Sequence, residues 1–115
     1  MKTKAMLAAL AALAQQTRLA IFRYLVEIGP DGAAVGSIGA ALKVAPATLS
    51  FHLKELSHAD LVVARQDGRF VWYAANFATM NSVIAYLTEN CCAGKSCDPV
   101  CAPAKTRSTP RRIRS

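Results

Sequence analysis

Two short runs of β-forming residues lie on either side of the dipeptide Asp67-Gly68. The first run covers residues 62–66 and the second covers residues 69–74. Strand-like runs around Asp-Gly are the strongest short-range signal for a β-hairpin. The residues before this hairpin have helical patterning, so we expect a chain that packs helices around one hairpin.

Apolar residues at helical spacing predict four helices before the hairpin and one after it. The apolar residues of the first helix are Met6, Leu7, Leu10 and Leu13. The second helix is expected to stop at Gly29-Pro30-Asp31-Gly32, because proline lacks an N–H and glycine tolerates positive φ. A short third helix is followed by a break at residues 43–45. The fourth helix is predicted from about Pro46 to Ala59, and the last begins near Asn76.

This order of elements predicts a mainly α fold with a β-hairpin, a winged helix-turn-helix. In that fold the second helix of the turn lies across the DNA major groove, and the hairpin forms the wing. The fourth helix suits this position because Leu49, Leu53 and Leu56 form one apolar side and leave the opposite side for DNA. The candidate DNA contacts on that opposite side and on the hairpin are Ala47, Thr48, Ser50, Phe51, Lys54, Arg65 and Arg69.

Length and composition restrict the class of protein. A chain of 115 residues with 53% hydrophobic residues has room for one packed domain, which excludes wholesale disorder. Its longest apolar run, Ala5–Ala14, is too short to span a bilayer, so no membrane partner is expected. The run follows basic residues, as in a secretory signal, but its many alanines favour an amphipathic first helix.

All four cysteines lie in one short segment, at positions 91, 92, 97 and 101. Disulfide bonds between cysteines this close together would not link distant segments of the chain. A disulfide bond between the neighbours Cys91 and Cys92 would also be strained. We interpret them as reduced thiols of a cytoplasmic protein, acting as soft-metal ligands or redox groups. They divide the chain into a predicted DNA-binding and dimerisation domain, residues 1–90, and a cysteine-containing basic tail, residues 91–115.

Three segments of the chain carry a family resemblance. Residues 14–22 read AQQTRLAIF, residues 44–56 read VAPATLSFHLKEL, and residues 59–73 begin with ADLV and end with RFVWY. Together they resemble the ArsR/SmtB repressors, over about residues 7–90. The resemblance implies a homodimeric winged-helix repressor that binds a double-stranded palindromic operator and releases it when metal binds. It also places His52 in the DNA-reading stretch, although helical spacing puts His52 nearer the core flank.

Two departures from the family pattern lie close to the DNA-reading stretch. Asp60 stands where the family commonly has glycine, and Ala45 and Pro46 replace polar residues at the start of the recognition helix.

The effector site must be found among the residues of this chain. The resemblance implies two common places for a metal site, and neither is complete here. The helix before the recognition helix has no Cys-x-Cys pair in residues 34–38, and the last helix has no histidine with which to hold zinc. Residues 89–101 resemble instead the C-terminal cysteine cluster of arsenic-responsive members of the family. That resemblance implies As(III) as inducer, with Sb(III) as a second candidate, bound by thiolates. The implied ligands are Cys91, Cys92 and Cys97, with Cys101 as an alternative third ligand.

Three alternatives for the cysteines remain open. Four thiolates also suit a soft divalent metal such as Cd, Pb or Zn, and exposed thiols can respond to oxidation. The third alternative is a small thiol redox enzyme, since Cys101 and Arg107 have the C-x5-R spacing of oxyanion-binding loops. Pro103 lacks an N–H and the loop has no glycine, so its anion site is incomplete. We therefore expect neither an enzyme nor an organic cofactor.

The last predicted helix supplies a candidate dimer interface. Its apolar residues step by three, four and three, as in a coiled-coil seam: Phe77, Met80, Ile84 and Leu87. We expect this seam to pack across a two-fold axis, so that two recognition helices meet successive major grooves. Because the cysteines follow this helix directly, ligand binding there is expected to alter the dimer and release DNA. The net charge of +7 comes mostly from the tail after Cys101, which either attracts phosphate non-specifically or is solubilising.

Overall fold

The computed structural model describes residues 2–94. They fall into two compact units, the first ending at Val83 and the second beginning at Ile84. The predictions about Cys97, Cys101 and the basic tail concern residues outside this described part of the chain.

Five α-helices and three β-strands make up the described residues. Helices α1 to α5 are Thr3–Leu13, Gln16–Ile28, Val35–Leu42, Pro46–His58 and Phe77–Leu87. Strands β1 to β3 are Ala33–Ala34, Val62–Asp67 and Phe70–Ala75. One turn of 3-10 helix, Cys91–Gly94, follows α5. The predicted order of four helices, a hairpin and a final helix is confirmed.

Strand β1 was not predicted from the sequence. It joins the hairpin in an antiparallel sheet of order β1-β3-β2, with Ala33 opposite Tyr73. Two alanines contain no alternating pattern, so this strand is recognisable only from its pairing with β3. Because α3 begins at the next residue, Val35, the pairing fixes the start of α3 beside the wing.

The hairpin turn lies one residue later than the Asp67-Gly68 dipeptide suggested. Asp67 pairs with Phe70, so the two loop residues are Gly68 and Arg69. Gly68 has a φ of 63°, and glycine at the first loop position suits a type II′ turn. The shift places Arg69 at the tip of the wing.

The core of the first unit is built mainly by helices α1 to α4. Its largest fully buried side chains are Met6, Ile21, Leu25, Ile38, Leu49, Leu53, Leu56 and Leu61. The three leucines predicted to form the apolar side of the fourth helix are among them, so that prediction is confirmed. Leu7 and Leu10, which share the apolar spacing of the first helix, are instead exposed.

Helices α1 and α2 meet at a bend of 101°. At this bend, the Gln15 side chain accepts a hydrogen bond of 2.9 Å from the backbone N–H of Arg18 and so begins α2. Within residues 2–94, no single helix is long and apolar enough to cross a membrane, and α1 with α2 passes the same test only as a bent pair.

Candidate functional site

A tight turn of residues 43–45 joins α3 to α4. Lys43 has a left-handed backbone, with φ of 57° and ψ of 47°, and the Val44 N–H donates to the Gly39 carbonyl oxygen at 3.0 Å. Pro46 then begins α4, at a position where its missing N–H breaks no helical hydrogen bond. The turn therefore fixes α4 against α3 in the manner of a helix-turn-helix.

The outward side of α4 carries side chains of three kinds. Ala47, Thr48 and Ser50 are small and exposed in the first half of the helix, and Lys54 is exposed one turn later. Between them Phe51 is 55% exposed. Small and hydroxyl residues allow close approach to base edges, and lysine suits phosphate. The predicted outward orientation of these residues is what the structure has; their DNA contacts stay a prediction.

The wing presents two exposed arginines. Arg65 on β2 lies opposite Trp72 on β3, and its guanidinium carbon is 5.5 Å from the centre of the indole ring. This is a cation-π contact, which orders the arginine side chain along the strand. Arg69 lies at the turn. The wing therefore offers positive charge at its tip and along its length.

Helix α4 and the wing border a common cleft of about 360 Å³. Its lining includes Gly36 of α3, Ser50 of α4, and Arg69 and Phe70 of the wing. The outward residues of α4 and the wing tip thus form one surface, here called the α4–wing surface: Ala47, Thr48, Ser50, Phe51, Lys54, Arg69 and Phe70.

Phe70 was not singled out from the sequence, although it is 63% exposed. The sequence signal that could have identified Phe70 is its position directly after the hairpin turn. Strand alternation puts Phe70 and Trp72 on the same face of β3, and within residues 2–94 an arginine stacks on Trp72 alone of the two.

His52 does not lie on the outward side of α4, and its predicted DNA contact is corrected here. The side chain is only 7% exposed, and its Nδ1 atom lies 3.3 Å from the guanidinium Nη1 of Arg18. Burial lowers the pKa of His52, the positive charge of Arg18 lowers it further, and Glu55 partly opposes both effects. Helical spacing explains the position, because residues 49, 52, 53 and 56 share the inner face.

The predicted dimer residues lie along one side of α5. Phe77 and Met80 are half-buried, whereas Ile84 and Leu87 are 47% and 61% exposed. The buried positions of the helix are Thr79 and Val83, on a neighbouring side. The seam is therefore apolar, and its last two residues are exposed.

The cysteine segment is described only as far as its first two cysteines. Cys91 is half-buried, Cys92 is exposed, and the Cys91 N–H donates to the Thr88 carbonyl oxygen at 3.0 Å. Residues 2–94 contain no group of three His, Cys, Asp or Glu side chains that could hold a metal ion. A three-thiolate site thus requires a cysteine beyond residue 94.

The chain is similar to known DNA-binding regulators. A family model described as a helix-turn-helix domain matches residues 13–65. An ArsR-like transcriptional regulator from Rhodococcus sp. RHA1 shares 28% identity over 73% of this chain and 76% of its own, with a TM-score of 0.63. HlyU from Vibrio cholerae N16961 shares 25% identity over 76% of this chain and 97% of its own, with a TM-score of 0.60.

A third similar structure is a homodimeric winged helix-turn-helix DNA-binding domain from Mycobacterium bovis. It shares 26% identity over 76% of this chain and 81% of its own, with a TM-score of 0.60. No curated protein matches the chain at a significant level.

These similarities define the class of protein. The chain has a winged helix-turn-helix fold, as predicted from the sequence, and a helix-turn-helix domain covers its residues 13–65. More particularly, the similar structures include an ArsR-like transcriptional regulator and HlyU. The matched domain and fold neighbours are regulators and not enzymes, which confirms the expectation that no enzyme is present.

Proposed function

We propose that the protein is a homodimeric repressor that binds operator DNA through the α4–wing surface and releases it when As(III) binds the cysteine segment. The observation that carries the DNA-binding part is the continuity of that surface. Ser50 of α4 and Arg69 of the wing line the same cleft, so one duplex contacts both elements. In this arrangement α4 enters the major groove, and the wing arginines meet phosphates or the adjacent minor groove.

Exposed apolar side chains support the dimer. Ile84 and Leu87 on α5 and Leu7 on α1 are between 47% and 61% exposed, which is costly for an isolated chain in water. The homodimeric M. bovis domain shares the fold. A two-fold axis brings two recognition helices to half-sites about 34 Å apart, one turn of DNA.

The cysteines support a thiophilic ligand at the end of α5. Cys91 and Cys92 follow that helix after only three residues, so thiolates bound there act on a helix with exposed apolar positions. As(III) takes three thiolates, two from this pair and a third from Cys97 or Cys101. Binding requires Cys92 to be a reduced thiol, as we expect in the cytoplasm. Repression is lost if the arsenic-bound end of α5 favours a dimer geometry that does not fit successive grooves.

The experiment begins with selection of a duplex from a random pool by the reduced protein. The selected duplex is labelled, and its fluorescence anisotropy is followed in a non-thiol reductant while arsenite, zinc or cadmium is added. We expect release at stoichiometric arsenite and no release by the other two metals. Cys91→Ser is expected to bind DNA normally and to ignore arsenite, whereas Thr88→Ser, a matched change beside the segment, keeps the response.

Two results would count against this proposal in different ways. If no duplex is selected, the DNA-binding part is wrong. If a duplex is bound but only cadmium, lead or zinc releases it, the repressor remains and the inducer is a divalent soft metal.

The exposure of Cys92 favours a second candidate, a repressor that responds to thiol oxidation. Two thiols would form one disulfide, giving two protons and two electrons to a peroxide that becomes water and an alcohol or a second water. Release of the selected duplex by peroxide without any metal, reversed by reductant, would favour this candidate over As(III).

A further inference from the structure

The Arg18 side chain connects three helices of the first unit. Its Nε donates a hydrogen bond of 2.7 Å to the carbonyl oxygen of Ala12 in the last turn of α1. Its Nη1 lies 3.3 Å from Nδ1 of His52, on the inner side of α4. Arg18 itself lies in the first turn of α2, where Gln15 holds its backbone N–H. The guanidinium is therefore the polar link between the α1–α2 bend and α4.

The chemistry of this contact determines the protonation state of His52. A guanidinium only donates hydrogen bonds, so His52 Nδ1 must be the acceptor. The imidazole is then neutral and carries its proton on Nε2. A protonated imidazole has no acceptor, and its positive charge would face the guanidinium at the same short distance.

Among residues 2–94, few charged groups surround His52. Beside Arg18 of α2, a cleft of about 270 Å³ is lined by Glu55 and His58 of α4, and α1 contributes to it only alanines. Helix α3 carries no titratable side chain. Glu55 favours the charged imidazole, but burial and Arg18 outweigh it and lower the pKa of His52. The neutral form is thus the one that the packed helix selects.

His52 also has a direct neighbour on the DNA-facing side. The Phe51 ring meets the imidazole edge-on, with ring centres 5.3 Å apart. A change at His52 therefore acts on both the inner anchorage of α4 and an exposed residue of the α4–wing surface.

We propose that Arg18 and His52 are a positioning pair that holds the recognition helix at the α1–α2 bend, and that protonation of His52 breaks the pair and weakens operator binding. Neither residue touches DNA in this role. The inference rests on the proposed DNA-binding function, and it adds a response to acidification that needs no thiol ligand.

The test measures the affinity of the full chain for the selected duplex between about pH 7.5 and about pH 5.5, under reductant and without metal. We expect the Kd of the wild type to rise roughly tenfold on acidification, within the range typical of coupling between sites. His52→Asn supplies an amide oxygen near the position of Nδ1 and does not titrate, so it should bind at the upper pH and lose the dependence. His58→Asn, a change to the exposed histidine of the same helix, should keep it.

A second measurement needs no DNA. Imidazole ¹⁵N shifts should show the Nε2–H form of His52 at neutral pH, and Arg18→Gln should raise the pH at which His52 titrates. A proton on Nδ1, or a titration unaffected by Arg18→Gln, would overturn the pair. Duplex binding that is equally tight at both pH values would overturn only this inference, whereas no binding at either pH would overturn the proposed function.

Discussion

Gly32 illustrates how one missing Cβ atom allows the three-stranded sheet. Its φ is 76°, which L side chains rarely adopt, and a Cβ there would overlap the carbonyl oxygen of Tyr73. The next residue, Ala33, pairs with Tyr73. The close approach of the two backbones, and so the position at which α3 begins, depends on this glycine.

We expect Gly32→Ala to lower the free energy of unfolding by about 2–4 kcal/mol, from left-handed strain and overlap with β3. Gly36→Ala is the matched control, since Gly36 lies in α3 with open space around it. That change should raise stability by about 0.5–1 kcal/mol. Urea unfolding curves of both variants provide the comparison, and equal effects would contradict the role assigned to Gly32.

His52 gives the stability of the fold a predictable pH dependence. Its folded-state pKa lies below the ordinary value of 6.5, so the unfolded chain takes up the proton first on acidification. The contribution is complete above about pH 6.5 and is lost as the pH falls toward the folded-state pKa. His52→Asn should remove this part of the acid sensitivity and His58→Asn should not, as measured by urea unfolding at a series of pH values.

Helix α4 and the wing act as one element in binding although they are separate in sequence. Residues on α4 are positioned by the buried leucines beneath them, whereas Arg69 is positioned by the turn that Gly68 permits. The first group suits reading of bases and the second suits phosphate. The two groups should therefore respond differently to salt.

Replacing Arg69 with Gln should weaken binding to all duplexes to a similar extent. The slope of log Kobs against log salt should become shallower by about 1, because one phosphate contact is lost. Arg23→Gln removes the same charge from α2 and should leave the slope unchanged. Anisotropy titrations at several salt concentrations measure both, and an unchanged slope for Arg69→Gln would remove this residue from the interface.

For the whole molecule, the exposed apolar side chains are the main indication of an assembly larger than one chain. Leu7 and Leu87 are each 61% exposed, more than a monomer of this size needs to leave in water. A repressor that reads two half-sites gains affinity only when both recognition helices are held together.

Leu87→Lys should therefore shift the protein from dimer to monomer in sedimentation and weaken operator binding by at least roughly tenfold. Val63→Lys places the same charge on an apolar residue that is 50% exposed on the wing. It should leave the sedimentation coefficient unchanged. A Leu87→Lys protein that remains a dimer would exclude this part of α5 from the interface.

Much of this architecture could be predicted because it depends on periodic patterns. The α4 leucines, the proline at its start and the β-forming runs each specify an element locally. Strand β1 could not be predicted, because two alanines have no period and their pairing depends on the backbone at Gly32. The exposure of Leu7 could not be predicted either, since helical spacing does not distinguish a face that packs on its own core from one left for a second chain.

Some residues of the candidate site could be predicted from the sequence, and others could not. Helical geometry identified the outward side of α4, but the family resemblance placed His52 among the DNA-reading residues. Its partner Arg18 lies far away in sequence, and only tertiary packing brings the two side chains together. Phe70 was missed because its exposure follows from the turn shift and not from its residue type.

The stacking of Arg65 on Trp72 has a practical consequence. Trp72 is the only tryptophan in the chain, so its emission comes from the wing alone. A phosphate that draws the guanidinium away from the indole should change that emission. The protein thus carries its own optical probe, through which wing docking can be timed in a stopped-flow instrument without any dye.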